Sequence, residues 1–330
     1  MELYWYDFFC VGLVAAASIG SLCVLWREEG RDRAGDDDDD RKLRKSLLAV
    51  GGQVDHSWLW ASCWRGVHPG WLLAIRVGSF AVLGGFLAWD IVEWDPTIFV
   101  YYTEWTFTLV MIYFALGSIL SVYGCWVYAT KPASTNRYVN EPLTSDLEES
   151  DYTSFNTYRE REFQRSKLGN QYTEEYILQR AGFCGYLMQI AYQTSAGAVI
   201  LTDIVFWCVI VPFMSNARFS LNLLMGCMHT LNALFLLIDT SVNSLPFPWF
   251  RVSYFVLWSC IYVIFQWVIH ACGFSWWPYP FLELSSPWCS LCYFAVAVMH
   301  IPCYAIYAMI IRMKDSVFSR LFPNSFIRSP

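Results

Sequence analysis

Of the 330 residues, 56% are hydrophobic and 18% aromatic, while only 15% are charged. That balance lies outside the range of a soluble globular domain and fits a polytopic membrane protein, all-α in class. The formal net charge of −6 comes largely from loops, including the run Asp36 to Asp40, so no nucleic-acid partner is expected.

Seven apolar stretches are each near or above the ~20 residues that a helix needs to cross the hydrocarbon core. The first, Leu3 to Trp26, lacks a basic leader and is long enough to span, so it is read as a membrane helix rather than a signal peptide. A charged, solvated loop follows from Arg27 to Lys45. Residues 46 to 70 regain tryptophans and include CWRGVHPGW, which reads as an interfacial approach to the second span, Trp71 to Trp94. The third span runs from Thr97 to Thr130 and carries a stripe of Thr103, Thr106, Tyr113 and Gly117 at helical spacing. Residues 131 to 181 are polar and too apolar-poor for an independent domain. The remaining spans are Tyr186 to Met214, Leu221 to Thr240, Val252 to Cys272 and Trp288 to Arg312.

This divides the chain into a first helix with its acidic cytosolic loop (1–70), a six-helix core (71–312) and a cytosolic tail (313–330). Segments 27–70, 131–181, 241–251 and 312–330 hold 8, 7, 1 and 4 of the 22 basic residues, against Arg218 alone on the opposite side and Arg76 inside a span. By the positive-inside rule the N-terminus is lumenal or extracellular and the C-terminus cytosolic. The expected location is the plasma membrane or an endomembrane such as the endoplasmic reticulum.

The fifth span is the most informative. Asn222, Gly226, His229 and Asn232 form one narrow stripe on it, which should face other helices rather than lipid. Polar groups at that depth point to a functional site, with a histidine hydrogen-bonded for packing as the alternative. Arg76 and Asp239, both near the cytosolic ends of their helices, are expected to pair with each other or with nearby polar groups. At about 1.5 Å per residue, His229 falls near the bilayer middle, level with Asp203 and His300, and Thr103 sits about 8 Å nearer the outer surface. A threonine beside a histidine base is a workable nucleophilic pair, although most membrane threonines bond a carbonyl one turn back.

The sequence has no GxSxG elbow, HExxH or P-loop and no histidine cluster of the desaturase kind. Most of the twelve cysteines read as small buried hydrophobes. Cys289 and Cys292 have CxxC spacing, but no second pair lies nearby to complete a metal site, so no metal or cofactor is expected.

Three segments, YYTEWTFTLVMIYFALG (Tyr101 to Gly117), GCMHTLNALFLLID (Gly226 to Asp239) and WWPYPFLE (Trp276 to Glu283), resemble in this order the androgen-induced and rolling-stone family of membrane proteins. CWRGVHPGWLLAIR and the N-terminal extension look like its plant branch, and the resemblance spans about residues 71 to 312. It implies a compact helical bundle and, by analogy with animal members, a threonine hydrolase of fatty acid esters of hydroxy fatty acids acting on a lipid substrate. It further implies Thr103 as nucleophile and His229, in its Met-His-Thr context, as the catalytic histidine. The residues after Thr103 depart from the family pattern, which leaves Thr106 as the fallback nucleophile. The competing reading is a non-enzymatic membrane scaffold or fusion-related protein in which His229 and Asn232 only tie helices together. A transporter ranks last, because the halves show no repeat and no paired broken helices.

Overall fold

The computed structural model describes residues 5–34, 56–130, 182–214 and 223–328. The acidic run Asp36 to Asp40, the 131–181 segment and Asn222 lie outside the described residues. Among the described residues there are seven helices long and apolar enough to cross a membrane, and no strands. They are α1 (Trp5–Ala34), α2 (Pro69–Trp94), α3 (Tyr102–Thr130), α4 (Gly182–Ile210), α5 (Leu223–Val242), α6 (Val252–Ala271) and α7 (Cys289–Leu321). The architecture is that of an integral membrane protein.

Local chemistry sets the helix ends. Pro69 opens α2, where its missing N–H costs nothing, and the His68 ring accepts the Gly70 amide at 3.0 Å. Asp95, at φ 63°, breaks the helical path, and Pro96–Val100 forms a short 3₁₀ turn. The third span therefore begins as a helix at Tyr102 rather than Thr97. That turn is pinned from three sides. Tyr262 Oη and Gln266 Nε2 both donate to the Val100 carbonyl at 2.7 Å, and Trp105 Nε1 donates to Phe99 O at 2.8 Å.

Helix α4 is the most buried of the seven. Its Met188, Tyr192, Ala196 and Val199 pack with Phe107, Tyr113 and Phe114 of α3 in the larger apolar core. Helix α1 lies against α6 and α7, and α2 against α3 and α5. Side chains such as Trp5, Val92, Ile119 and Leu291 stand exposed on the outer faces, as lipid contact requires.

Arg76 and Asp239 pair as their shared depth requires. Both side chains are fully buried, with Arg76 Nε donating to Asp239 Oδ1 at 3.1 Å. Arg76 Nη1 also reaches the Leu59 and Gly117 carbonyls and Ser121 Oγ, while Tyr113 Oη and Asn243 Nδ2 donate to Asp239 Oδ2. A Cβ at Gly117 would stand 3.0 Å from Arg76 Cδ, so glycine there lets the side chain cross α3.

The last helix runs past Arg312 to Leu321, and the tail after it folds back on the CWRG segment instead of leaving the bundle. Arg65 N–H bonds Ser325 O and Ile327 N–H bonds Cys63 O, both at 2.7 Å, and Trp64 packs its ring among Phe318, Phe322 and Phe326. The segment expected to be interfacial is thus partly core. Cys63 is fully buried there, and burial pushes its thiol up to about 11.

Candidate functional site

Near the ends of α3, α4 and α5 the bundle holds a cavity of about 70 Å³. Thr103 and His229 both line it. So do Tyr102, Thr202, Phe206, Ser259, Tyr262 and Tyr279, amid aliphatic side chains. A mostly apolar chamber with a few polar atoms suits an acyl chain carrying one reactive ester.

Thr103 is the second residue of α3, on the rigid turn fixed by Tyr262 and Gln266. The first amides of a helix have no intrahelical acceptor and point their N–H groups outward. The Tyr279 phenol lies against these amides and the Thr103 side chain. Burial pushes Tyr279 up to about 12, opposed by hydrogen bonding from Thr103 and the Tyr102 backbone.

His229 is 6% exposed on α5. Its ring stacks on Phe206 at 3.6 Å between centroids and 11° between planes, which fixes the imidazole plane. Phe206 begins a π-helical turn, Phe206–Ile210, closed by a Val211 N–H to Phe206 O bond. The cause is two residues further on: Pro212 has no N–H to give to Cys208 O, and its ring crowds that carbonyl, so the helix widens. Asp203, one turn earlier on α4, brings its Oδ1 to 3.8 Å from His229 Nδ1. Asn232, the next member of the α5 stripe, is 2% exposed, so the stripe faces protein at His229 and Asn232, whereas a Cβ at Gly226 would meet nothing within 4 Å.

Thr106 is fully buried and does not line the cavity. Thr202 bonds back to Ala198 O and Val199 O, the ordinary use of a membrane threonine. Cys289 faces Cys10 with 3.7 Å between sulfurs. Among the described residues, no three His, Cys, Asp or Glu side chains gather as metal ligands would.

Phe206 and Ser259 are among the cavity residues that have no counterpart in the sequence reading. Phe206 is one more aromatic in an apolar run, and only Pro212 hints at the widened turn. Ser259 is one of two serines in α6, and its partner is His300 on α7. The shared depth of Asp203, His229 and His300 was a usable signal; which of them meet was not. No known protein family, no curated protein and no solved structure matches the chain.

Proposed function

We propose that this protein is a membrane-embedded threonine hydrolase of lipid esters, with fatty acid esters of hydroxy fatty acids as its substrate class. The observation that carries the reading is that Thr103 and His229, selected from sequence motifs far apart in the chain, line the same apolar cavity. The family resemblance supplies the reaction class, and the cavity is consistent with it.

In this mechanism Thr103 Oγ1 attacks the ester carbonyl carbon while His229 accepts the hydroxyl proton. Charge on the carbonyl oxygen is met by the N–H groups of the first turn of α3, where the oxygen takes the place of the Tyr279 phenol. His229 then returns its proton to the departing alkoxide, leaving an acyl ester on Thr103. Water, deprotonated by the same imidazole, releases the fatty acid. Asp203 orients the ring and balances its transient positive charge, and Phe206 keeps it in plane. The acyl chains lie along the aliphatic walls contributed by α4 and α6.

The reading includes an orientation, with the N-terminus lumenal or extracellular and the cavity end of the bundle on that side. The charge asymmetry of the loops supports it. The test is hydrolysis of a palmitate ester of hydroxystearate by purified protein in detergent. Wild-type protein should release palmitate, Thr103→Ala and His229→Ala should each lose at least about 100-fold in rate, and Thr103→Ser should keep part of it. A folded wild-type protein that hydrolyses no long-chain ester would reject the reading and leave these residues a packing role.

A further inference from the structure

A second hydroxyl on the same cavity is already seated on an imidazole. Ser259 Oγ lies 2.7 Å from His300 Nε2, and His300 Nδ1 lies 2.8 Å from the Val296 carbonyl. A carbonyl can only accept, so Nδ1 carries the proton in the neutral ring and Nε2 presents its lone pair. Ser259 must therefore donate its O–H to His300, which requires the Tyr102 phenol, 2.8 Å away, to donate to Ser259 Oγ. The result is a directed chain from Tyr102 O–H through Ser259 O–H to His300, with the Val296 carbonyl fixing the tautomer.

That is the arrangement of a serine nucleophile and its base, with a backbone carbonyl where a carboxylate more often stands. Ser259 is half-buried and lines the cavity, and His300 is 4% exposed and held under Phe255, whose ring centroid is 4.4 Å away. A serine serving only to tie two helices has no need of a cavity wall. Ser259 is the eighth residue of α6 and Thr103 the second of α3, so the two hydroxyls occupy different depths of one chamber.

The geometry points to Ser259 as a second acyl-accepting nucleophile of this cavity, with His300 as its base and Tyr102 as its hydrogen-bond donor. The inference takes its substrate, a lipid ester, from the reading above; the nucleophile and base stand on their own contacts. Ser259 Oγ forms a bond to the carbonyl carbon and its proton passes to His300 Nε2. The bond from that carbon to the alcohol oxygen breaks, and the alkoxide takes the proton from His300. Water, giving its proton to the same nitrogen, then cleaves the acyl serine to fatty acid and free Ser259. As Ser259 Oγ turns to the ester, the Tyr102 O–H is released to bond the carbonyl oxygen.

The experiment treats full-length wild-type and Thr103→Ala protein in detergent with an alkyl fluorophosphonate, followed by trypsin and mass spectrometry. The two hydroxyls fall on separate peptides, 77–137 for Thr103 and 252–312 for Ser259. Thr103→Ala should carry the adduct on Ser259, and His300→Gln should slow its formation by at least about 10-fold. Because Ser259 and its partners are unaltered in the first two proteins, folding of a site variant is not in question there. Thr103→Ala protein that is monodisperse yet unmodified at Ser259 would overturn the inference, as would an adduct formed at undiminished rate in folded His300→Gln. Failure at Ser259 with an adduct on Thr103 leaves the threonine reading standing, and the converse overturns Thr103 alone.

Discussion

His229 Nδ1 stands 3.8 Å from Asp203 Oδ1, within ion-pair range but beyond a hydrogen bond, and neither atom has a hydrogen-bond partner among the described residues. Both are almost withdrawn from solvent, so a proton arriving on His229 would draw the two together, with the Phe206 stack limiting the ring to motion in its plane. Asp203 therefore acts through His229. Asp203→Asn keeps the shape and removes the charge, and should lower kcat by about 100-fold while KM changes by less than about 3-fold. Steady-state kinetics on the palmitate ester decide it, and an unchanged kcat would remove Asp203 from the mechanism.

Arg76 and Asp239 show how far the sequence reading reached. Two charges at one depth in apolar helices have to meet, and they do. Their supporting shell was legible only at Tyr113, a member of the stripe on the third span; Leu59, Ser121 and Asn243 come from three separate segments and nothing in their local sequence marks them. The spans themselves were readable from hydropathy to within a few residues. The exceptions are α1, which continues as helix past Trp26 through the first residues of the expected loop to Ala34, α3, delayed by the Asp95 and Pro96 break, and α7, whose end is held by the packing of Trp64. The motif segments located Thr103 and His229, but their common cavity depends on how α3 and α5 lean together, which periodicity along one helix does not encode. Ser259 and His300 were invisible as a pair for the same reason.

Removing one partner of the buried pair strands the other charge, so Arg76→Leu and Asp239→Leu should each cost about 3–5 kcal/mol. The double variant should cost clearly less than the two losses added, because no lone charge remains. Thermal unfolding in one detergent measures all four proteins, and additive losses would exclude direct coupling.

Gly197 lies where a Cβ would come 2.5 Å from Phe255 Cδ1, and Phe255 in turn covers His300. Gly197→Ala should destabilise the protein by about 1–3 kcal/mol through overpacking. It should also slow fluorophosphonate attachment at Ser259 more than at Thr103. Equal slowing at both residues would mean that the displaced ring does not reach His300.

The loop charges make a topological prediction. A glycosylation tag inserted between Asp36 and Asp40, or within 131–181, should remain unmodified, and one placed after Gly273 should be glycosylated. Gel mobility before and after glycosidase treatment reads the result, and modification of the acidic run would invert the orientation.

The most direct test of the catalytic claim is the site of fluorophosphonate attachment in the wild-type protein. An activated hydroxyl is phosphonylated, whereas one engaged only in packing is not. The account predicts an adduct on Thr103 in peptide 77–137, absent from His229→Ala that remains folded and monodisperse. Wild-type protein that stays unmodified at Thr103 after prolonged exposure, or a Thr103 adduct that forms as fast without His229, would contradict it.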